Sequence, residues 1–177
     1  MASQKLIGFV GLDELSLEVA SSLVRHGYSV QAFETSDSKI SELLKFGGIR
    51  CSSPKDAARD VAALVVLISH VDQASDLFFG NEGALKGLDK DAIVILHSTI
   101  SPSLVHQLEK DLAEIQGVTY IVDAYISRGR SEASDGKVII TSSGKSDSIK
   151  EHSLFFQQCV KSFSLLWVKL VVAVKLN

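Results

Sequence analysis

The 177-residue sequence predicts an α/β fold, in which a doubly wound, mostly parallel sheet forms a single domain. Short β-rich segments alternate with amphipathic segments along the chain, which is the pattern of βαβ units. Several β-rich segments, LVVLI and AIVIL most clearly, are apolar almost throughout. Such strands are expected where helices cover both faces of a sheet. With 46% hydrophobic residues, the chain can also bury a full core.

The elements follow one another in strand and helix pairs: LIGFV and LSLEVASSLVRHG, YSVQAF and SDSKISELLKFGG, VAALVVLIS and VDQASDLFFG. The first helix is expected to end at Gly27, and either Ser36 or Asp37 is expected to cap the second. After the strand AIVIL, Ser101 and Pro102 provide an N-cap and a first-turn proline for a further helix.

Composition excludes several kinds of partner. The 18 Lys+Arg and 21 Asp+Glu residues give a formal charge of −3 and do not cluster, so no nucleic-acid or anionic-membrane surface is expected. Cys51 and Cys159 lie far apart, which fits a reducing compartment, and the cytoplasm is the default location. The histidines show no metal-ligand spacing, so no metal site is predicted. The apolar stretch Phe163 to Val174 is well short of the ~20 residues that span a bilayer. A buried strand is favoured there.

The segment GFVGLDELS, which follows the first strand, is typical of a phosphate-binding turn. In the dinucleotide fingerprint G-x-G-x-x-G, the three glycines allow a tight turn, a close approach to the pyrophosphate, and close helix packing. Gly11, Asp13 and Ser16 occupy these positions. Asp13 brings a carboxylate to the place where the pyrophosphate would lie, so the turn is expected to bind a dinucleotide weakly. The alternative is that Asp13 caps the first helix, which remains compatible with weak binding.

Glu34 lies at the end of the second strand, where an acidic residue holds the adenosine ribose in such folds. A carboxylate repels a 2′-phosphate and no arginine follows it, so NAD is predicted in preference to NADP. The other interpretation of Glu34 is a solvated residue that opens a polar loop.

Three segments resemble the β-hydroxyacid dehydrogenases, the family of 3-hydroxyisobutyrate dehydrogenase and of the NAD(P)-binding domain of 6-phosphogluconate dehydrogenase. GFVGLDELS is similar to the family's G-F-I-G-L-G-x-M-G opening, HSTISP to its S-T-x-S-P segment, and VDAYISRGRSEASDGKV to its D-A-P-V-S-G-G-x-x-G-A-x-x-G segment. By itself HSTISP also fits an N-cap and turn. The resemblance implies a Rossmann-like fold in which Ser127 and Gly129 face a small hydroxyacid substrate. The implied cofactor-binding residues are Gly8, Gly11, Leu12, Asp13, Glu34, Ser98 and Thr99.

The family's G-x-G-x-x-x-K-x-x-N segment, which supplies the lysine for proton transfer, has no counterpart in the sequence. We therefore assign no catalytic residue, and we leave open whether the chain is an enzyme. Residues 1–160 are predicted to form the dinucleotide-binding domain, and residues 161–177 a divergent apolar segment, as a terminal strand or a tail that provides a homodimer surface. The chain is expected to be a truncated NAD(P)-binding domain with little or no oxidoreductase activity alone. The alternative is a non-enzymatic interaction module that no longer binds nucleotide.

Overall fold

A computed structural model describes residues 6–25, 27–67, 71–97, 102–116, 120–128, 138–144 and 168–174. The strands are β1 (Leu6–Val10), β2 (Ser29–Phe33), β3 (Ile49–Arg50), β4 (Ala63–Leu67), β5 (Ile93–His97), β6 (Tyr120–Arg128), β7 (Val138–Gly144) and β8 (Val168–Val174). The α-helices are α1 (Glu14–Arg25), α2 (Asp37–Lys45), α3 (Pro54–Ala57), α4 (Val71–Phe79) and α5 (Pro102–Gln116), and a 3-10 turn spans Ala84–Lys86.

The strands form one sheet in the order β3-β2-β1-β4-β5-β6-β7-β8. All neighbours from β3 to β6 are parallel, β6 and β7 are antiparallel, and β7 and β8 are parallel. The order 3-2-1-4-5-6 is that of dinucleotide-binding sheets, in which the winding reverses between β1 and β4. The predicted doubly wound, mostly parallel fold is confirmed.

Among the described residues, the core consists of two apolar clusters on opposite faces of the sheet. Alternate residues of a strand face opposite sides, so Ile7 and Phe9 lie in one cluster and Val10 in the other. The first cluster includes residues of α1 and α2, such as Leu23 and Ile40. The second includes residues of α3, α4 and α5. Burial on both faces explains why the central strands are apolar throughout.

The helix ends follow the local signals in the sequence. The backbone of Gly27 is left-handed, with φ of 86°, just beyond the end of α1. Ser36, with extended backbone, is the N-cap of α2, and Asp37 lies in the first helical turn. Helix α5 begins at Pro102 as predicted, whereas Ser101 lies outside the described residues.

The apolar C-terminal stretch contributes β8, which pairs with β7 at one edge of the sheet. The division of the chain at residue 160 stays a prediction. Across the ranges given above, the helices are all too short or too polar to cross a membrane. Within the same ranges, no three His, Cys, Asp or Glu side chains are grouped so that they could hold a metal ion.

Candidate dinucleotide site

The candidate site lies at the carboxyl end of β1, beside the point where the winding of the sheet reverses. Gly11 begins the turn with φ of 78°, a conformation that favours glycine. A Cβ atom at this position would also lie 3.1 Å from the carbonyl oxygen of Leu67, at the end of β4. The amide of Gly11 donates to the carbonyl of Phe33 over 2.9 Å, which ties the turn to the end of β2. Both the positive φ and the limited space therefore favour glycine at position 11.

Gly8 lies within β1, before the turn. A Cβ atom there would lie 2.1 Å from the carbonyl oxygen of Ala57 and 2.9 Å from Cδ1 of Leu64. The absence of a side chain therefore allows the end of α3 to pack directly on the strand. This geometry explains the glycine by packing, and the contact with a cofactor implied for Gly8 stays a prediction.

Asp13 and Ser16 form a reciprocal cap at the start of α1. Oδ1 of Asp13 accepts hydrogen bonds from the Ser16 amide (2.6 Å) and from the Ser16 hydroxyl (2.7 Å). In return, the Asp13 amide donates to the Ser16 hydroxyl over 2.8 Å. This arrangement is a capping box with serine in the place usually taken by glutamate or glutamine. Asp13 therefore caps the helix while standing at the second position of the glycine fingerprint.

His97 approaches Asp13 from the end of β5. The imidazole is buried, and its Nε2 lies 3.6 Å from Oδ2 of Asp13. This contact, together with the hydrogen bonds from Ser16, holds the pKa of the Asp13 carboxyl well below its usual range, although partial burial acts in the opposite direction. Asp13 is therefore ionised at neutral pH and brings a full negative charge to the turn.

Glu34 and Lys39 contact the backbone of Leu12, the residue between Gly11 and Asp13. The Leu12 amide donates to Oε2 of Glu34 over 2.6 Å, and Nζ of Lys39 donates to the Leu12 carbonyl over 2.5 Å. Oε1 of Glu34 accepts from the amide of Ser36 over 2.8 Å. The Glu34 carboxylate thus lies at the turn, and its predicted contact with a ribose stays a prediction.

Two of these side chains were not predicted from the sequence. Lys39 lies in the first turn of α2. A cation that would bind a 2′-phosphate was expected directly after Glu34. His97 precedes the S-T-x-S-P match and has no counterpart in that motif. The available signal was its position, because it is the one polar residue of the otherwise apolar strand IVILH and ends that strand. In a parallel sheet, such a side chain faces the ligand-binding edge.

Other predicted site residues are not all described. Ser98, Thr99 and Gly129 lie outside the described residues. Ser127 lies in β6, where its backbone is in register with Ile139 of β7. The nicotinamide contacts implied for Ser98 and Thr99, and the substrate contacts implied for Ser127 and Gly129, remain predictions.

A family model described as the NAD binding domain of 6-phosphogluconate dehydrogenase matches residues 6–168. The chain belongs to this family. The resemblance to β-hydroxyacid dehydrogenases is confirmed, and the chain carries the NAD-binding domain of that family.

Curated relatives include the 3-sulfolactaldehyde reductase of Escherichia coli K12, which is 26% identical over 145 residues, or 81% of this chain and 48% of the relative. The mitochondrial 3-hydroxyisobutyrate dehydrogenase of Rattus norvegicus is 28% identical over 138 residues, or 78% of this chain and 41% of the relative. The chain therefore spans about half the length of the curated relatives it matches.

Solved structures share the fold at low identity. An imine reductase from Myxococcus stipitatus in complex with NADP+ gives a TM-score of 0.74 at 17% identity, covering 95% of this chain and 55% of that one. Its V8 variant in complex with NAD+ also gives 0.74 at 17% identity, covering 96% and 55%. These neighbours show the same architecture with either cofactor.

Proposed function

We propose that this domain binds NAD weakly at the turn Gly11 to Asp13, and that it has little or no oxidoreductase activity by itself. The observation that carries this proposal is the ionised Asp13 carboxylate at the amino terminus of α1. In related folds that terminus receives the pyrophosphate. The Rossmann-like strand order and the family match support the site, and Asp13 accounts for its weakness.

Two backbone donors of the turn are already engaged by side chains of the chain itself. The Leu12 amide donates to Glu34, and the Asp13 amide donates to the Ser16 hydroxyl. A pyrophosphate that uses these amides has to displace both acceptors. Repulsion from a unit charge about 4 Å away adds roughly 1 to 4 kcal/mol, which weakens binding by about fivefold to a thousandfold.

The proposed cofactor preference is NAD over NADP, on the basis of Glu34. Its carboxylate can accept hydrogen bonds from the ribose hydroxyls and repels a 2′-phosphate. Lys39 acts in the opposite direction, because an ammonium group attracts phosphate. Since Glu34 and Lys39 both contact Leu12, the preference depends on the balance between them.

Low activity follows from the chemistry of proton transfer. A general acid or base has to be held within hydrogen-bond reach of its proton. The sequence contains no G-x-G-x-x-x-K-x-x-N segment, so none of its lysines is placed as the family's lysine is.

Ser127 and Gly129 are proposed to face a small hydroxyacid, and the cytoplasm is the proposed location.

The test is a fluorescence titration of the purified protein with NADH up to millimolar concentration, in parallel with Asp13→Gly. Glycine is a tolerated N-cap, so the variant should fold. We expect a weak saturable signal from the wild type and tighter binding by the variant. Absence of saturation in both proteins would refute nucleotide binding and favour a non-enzymatic interaction module. Turnover of a panel of small 3-hydroxyacids with NAD would contradict the proposed inactivity.

Self-association through β8 is a second proposal. Among the described strands, β8 has β7 as its single neighbour, and its sequence VKLVVAV is mostly apolar. An apolar edge strand is a template for pairing with a second chain. We expect a homodimer in analytical ultracentrifugation. Neighbouring residues of a strand point their amides to opposite sides, so either Val171 or Val172 directs its amide away from β7. The proline substitution at that residue should break the dimer and keep the pairing with β7. A monomeric wild type would refute this proposal.

A further inference from the structure

Both oxygens of the Asp13 carboxylate have a partner within the protein. Oδ1 accepts from the amide and the hydroxyl of Ser16, and Oδ2 faces Nε2 of His97 at 3.6 Å. Because Asp13 is ionised, its oxygens can only accept hydrogen bonds. The 3.6 Å between Nε2 of His97 and Oδ2 is longer than a direct hydrogen bond, so the buried ring nitrogen and the carboxylate form a close polar contact.

We propose that His97 is a positioning residue of the dinucleotide site. It holds the Asp13 carboxylate toward the end of β5 and offsets part of its charge, so that the turn accepts a pyrophosphate without a glycine at this position. This inference rests on the proposed nucleotide binding. It adds that Asp13 and His97 act as a pair, in which His97 reduces the repulsion between the Asp13 carboxylate and a bound pyrophosphate.

The geometry favours a positional role because the pair joins separate parts of the ligand-binding edge. Asp13 caps α1 from the position before its first residue, and His97 ends β5, with β4 lying between β5 and β1 in the sheet. His97 is 5% exposed, so its ring cannot swing into solvent and leave the carboxylate. About 43% of the Asp13 side chain is exposed, so its charge is felt at the surface where a ligand would arrive. Removal of the imidazole would therefore leave Oδ2 of Asp13 without this contact on the ligand side.

The test is a double-mutant cycle on the dissociation constant of NADH, measured by fluorescence on the whole chain. The proteins are the wild type, His97→Leu, Asp13→Gly and the double variant. We expect His97→Leu to weaken binding on the order of tenfold, or about 1.4 kcal/mol, in the presence of Asp13, because the substitution removes the polar contact with the carboxylate. In the Asp13→Gly background, the same substitution should change the dissociation constant less than about twofold.

Two conservative variants separate positioning from packing. The side-chain amide of His97→Gln places a donor near the position of Nε2, whereas that of His97→Asn places one near Nδ1. Glutamine should restore most of the wild-type affinity and asparagine should not. This comparison also decides the matter if His97→Leu fails to fold, as judged by circular dichroism and thermal unfolding.

The outcomes distinguish this inference from the proposed function. If Asp13→Gly binds NADH and His97→Leu binds as the wild type does, nucleotide binding stands and the positioning role is refuted. Equal weakening by His97→Leu in both Asp13 backgrounds would assign His97 to packing alone and would also refute it. If neither the wild type nor Asp13→Gly binds NADH, the proposed function and the positioning role both fail.

Discussion

Replacement of Gly8 by alanine should destabilise the protein through a steric conflict in the core. The new Cβ would lie 2.1 Å from the carbonyl oxygen of Ala57, whereas carbon and oxygen atoms normally meet at about 3.3 Å. Relief therefore requires α3 and β1 to separate by roughly 1 Å. Helix α3 resists this movement because Ala57 is fully buried and the Gln31 side chain donates to the carbonyls of Asp56, Ala57 and Arg59.

Overpacking of this kind costs typically 1 to 3 kcal/mol, and the severity of this overlap points to about 3 kcal/mol. For a chain of this size, each kcal/mol lowers Tm by roughly 2 to 4 °C, so Gly8→Ala should lower it by about 6 to 12 °C. The assay is thermal and urea denaturation followed by circular dichroism.

Gly47→Ala is the matched control for Gly8→Ala. Its new Cβ would meet Cγ1 of Val24 at 3.7 Å, an ordinary contact, and only its φ of 96° is unfavourable for alanine. The control should therefore lose about 1 kcal/mol. A Gly8→Ala variant as stable as the wild type, or more stable than the control, would refute the packing argument. If only its affinity for NADH fell, Gly8 would be a cofactor contact instead.

Three further predictions concern the cap, the acid limit of stability and the cofactor preference. Ser53→Ala removes the hydroxyl that accepts from the Asp56 amide at the start of α3, and urea denaturation should show a loss of about 1 kcal/mol. Because the folded-state pKa of Asp13 is depressed, its ionised form stabilises the fold above the unfolded value of about 3.9, and this contribution is lost as the pH falls below it. Thermal unfolding between pH 7 and 3 should therefore show a steeper acid decline in the wild type than in Asp13→Asn, and parallel curves would contradict this reasoning. Lys39→Ala should weaken NADPH more than NADH in parallel fluorescence titrations, and an equal effect on both would show that Lys39 does not face a 2′-phosphate.

The sequence predicted those features whose causes are local. Apolar runs indicated the central strands, and the turn at Gly11 was predictable because a strand, a glycine and an amphipathic helix in immediate succession are typical of a phosphate-binding turn. Glu34 was predicted as a ribose-binding acid from its place just after β2; its carboxylate contacts the Leu12 amide, and the contact with a ribose stays a prediction. The domain's family membership followed from the same segments.

Features that depend on tertiary packing were not predicted. Helix α3 has four residues, too few to show a helical period, so its contact with Gly8 gave no signal. The approach of His97 to Asp13 depends on the order of strands in the sheet, which brings distant parts of the chain together. Lys39 was overlooked because the side chain of a helical residue reaches back toward the preceding loop, a direction that spacing alone does not convey.

The division of the core into two clusters has a consequence for how the domain unfolds. Strand β1 contributes Ile7 and Phe9 to one cluster and Val10 to the other, so it packs in both clusters. Neither half can therefore melt while the other keeps its full packing. Residues of β1 and its partner β4 should exchange their amide hydrogens only through global unfolding, as one cooperative unit, whereas the two-residue edge strand β3 can fray independently.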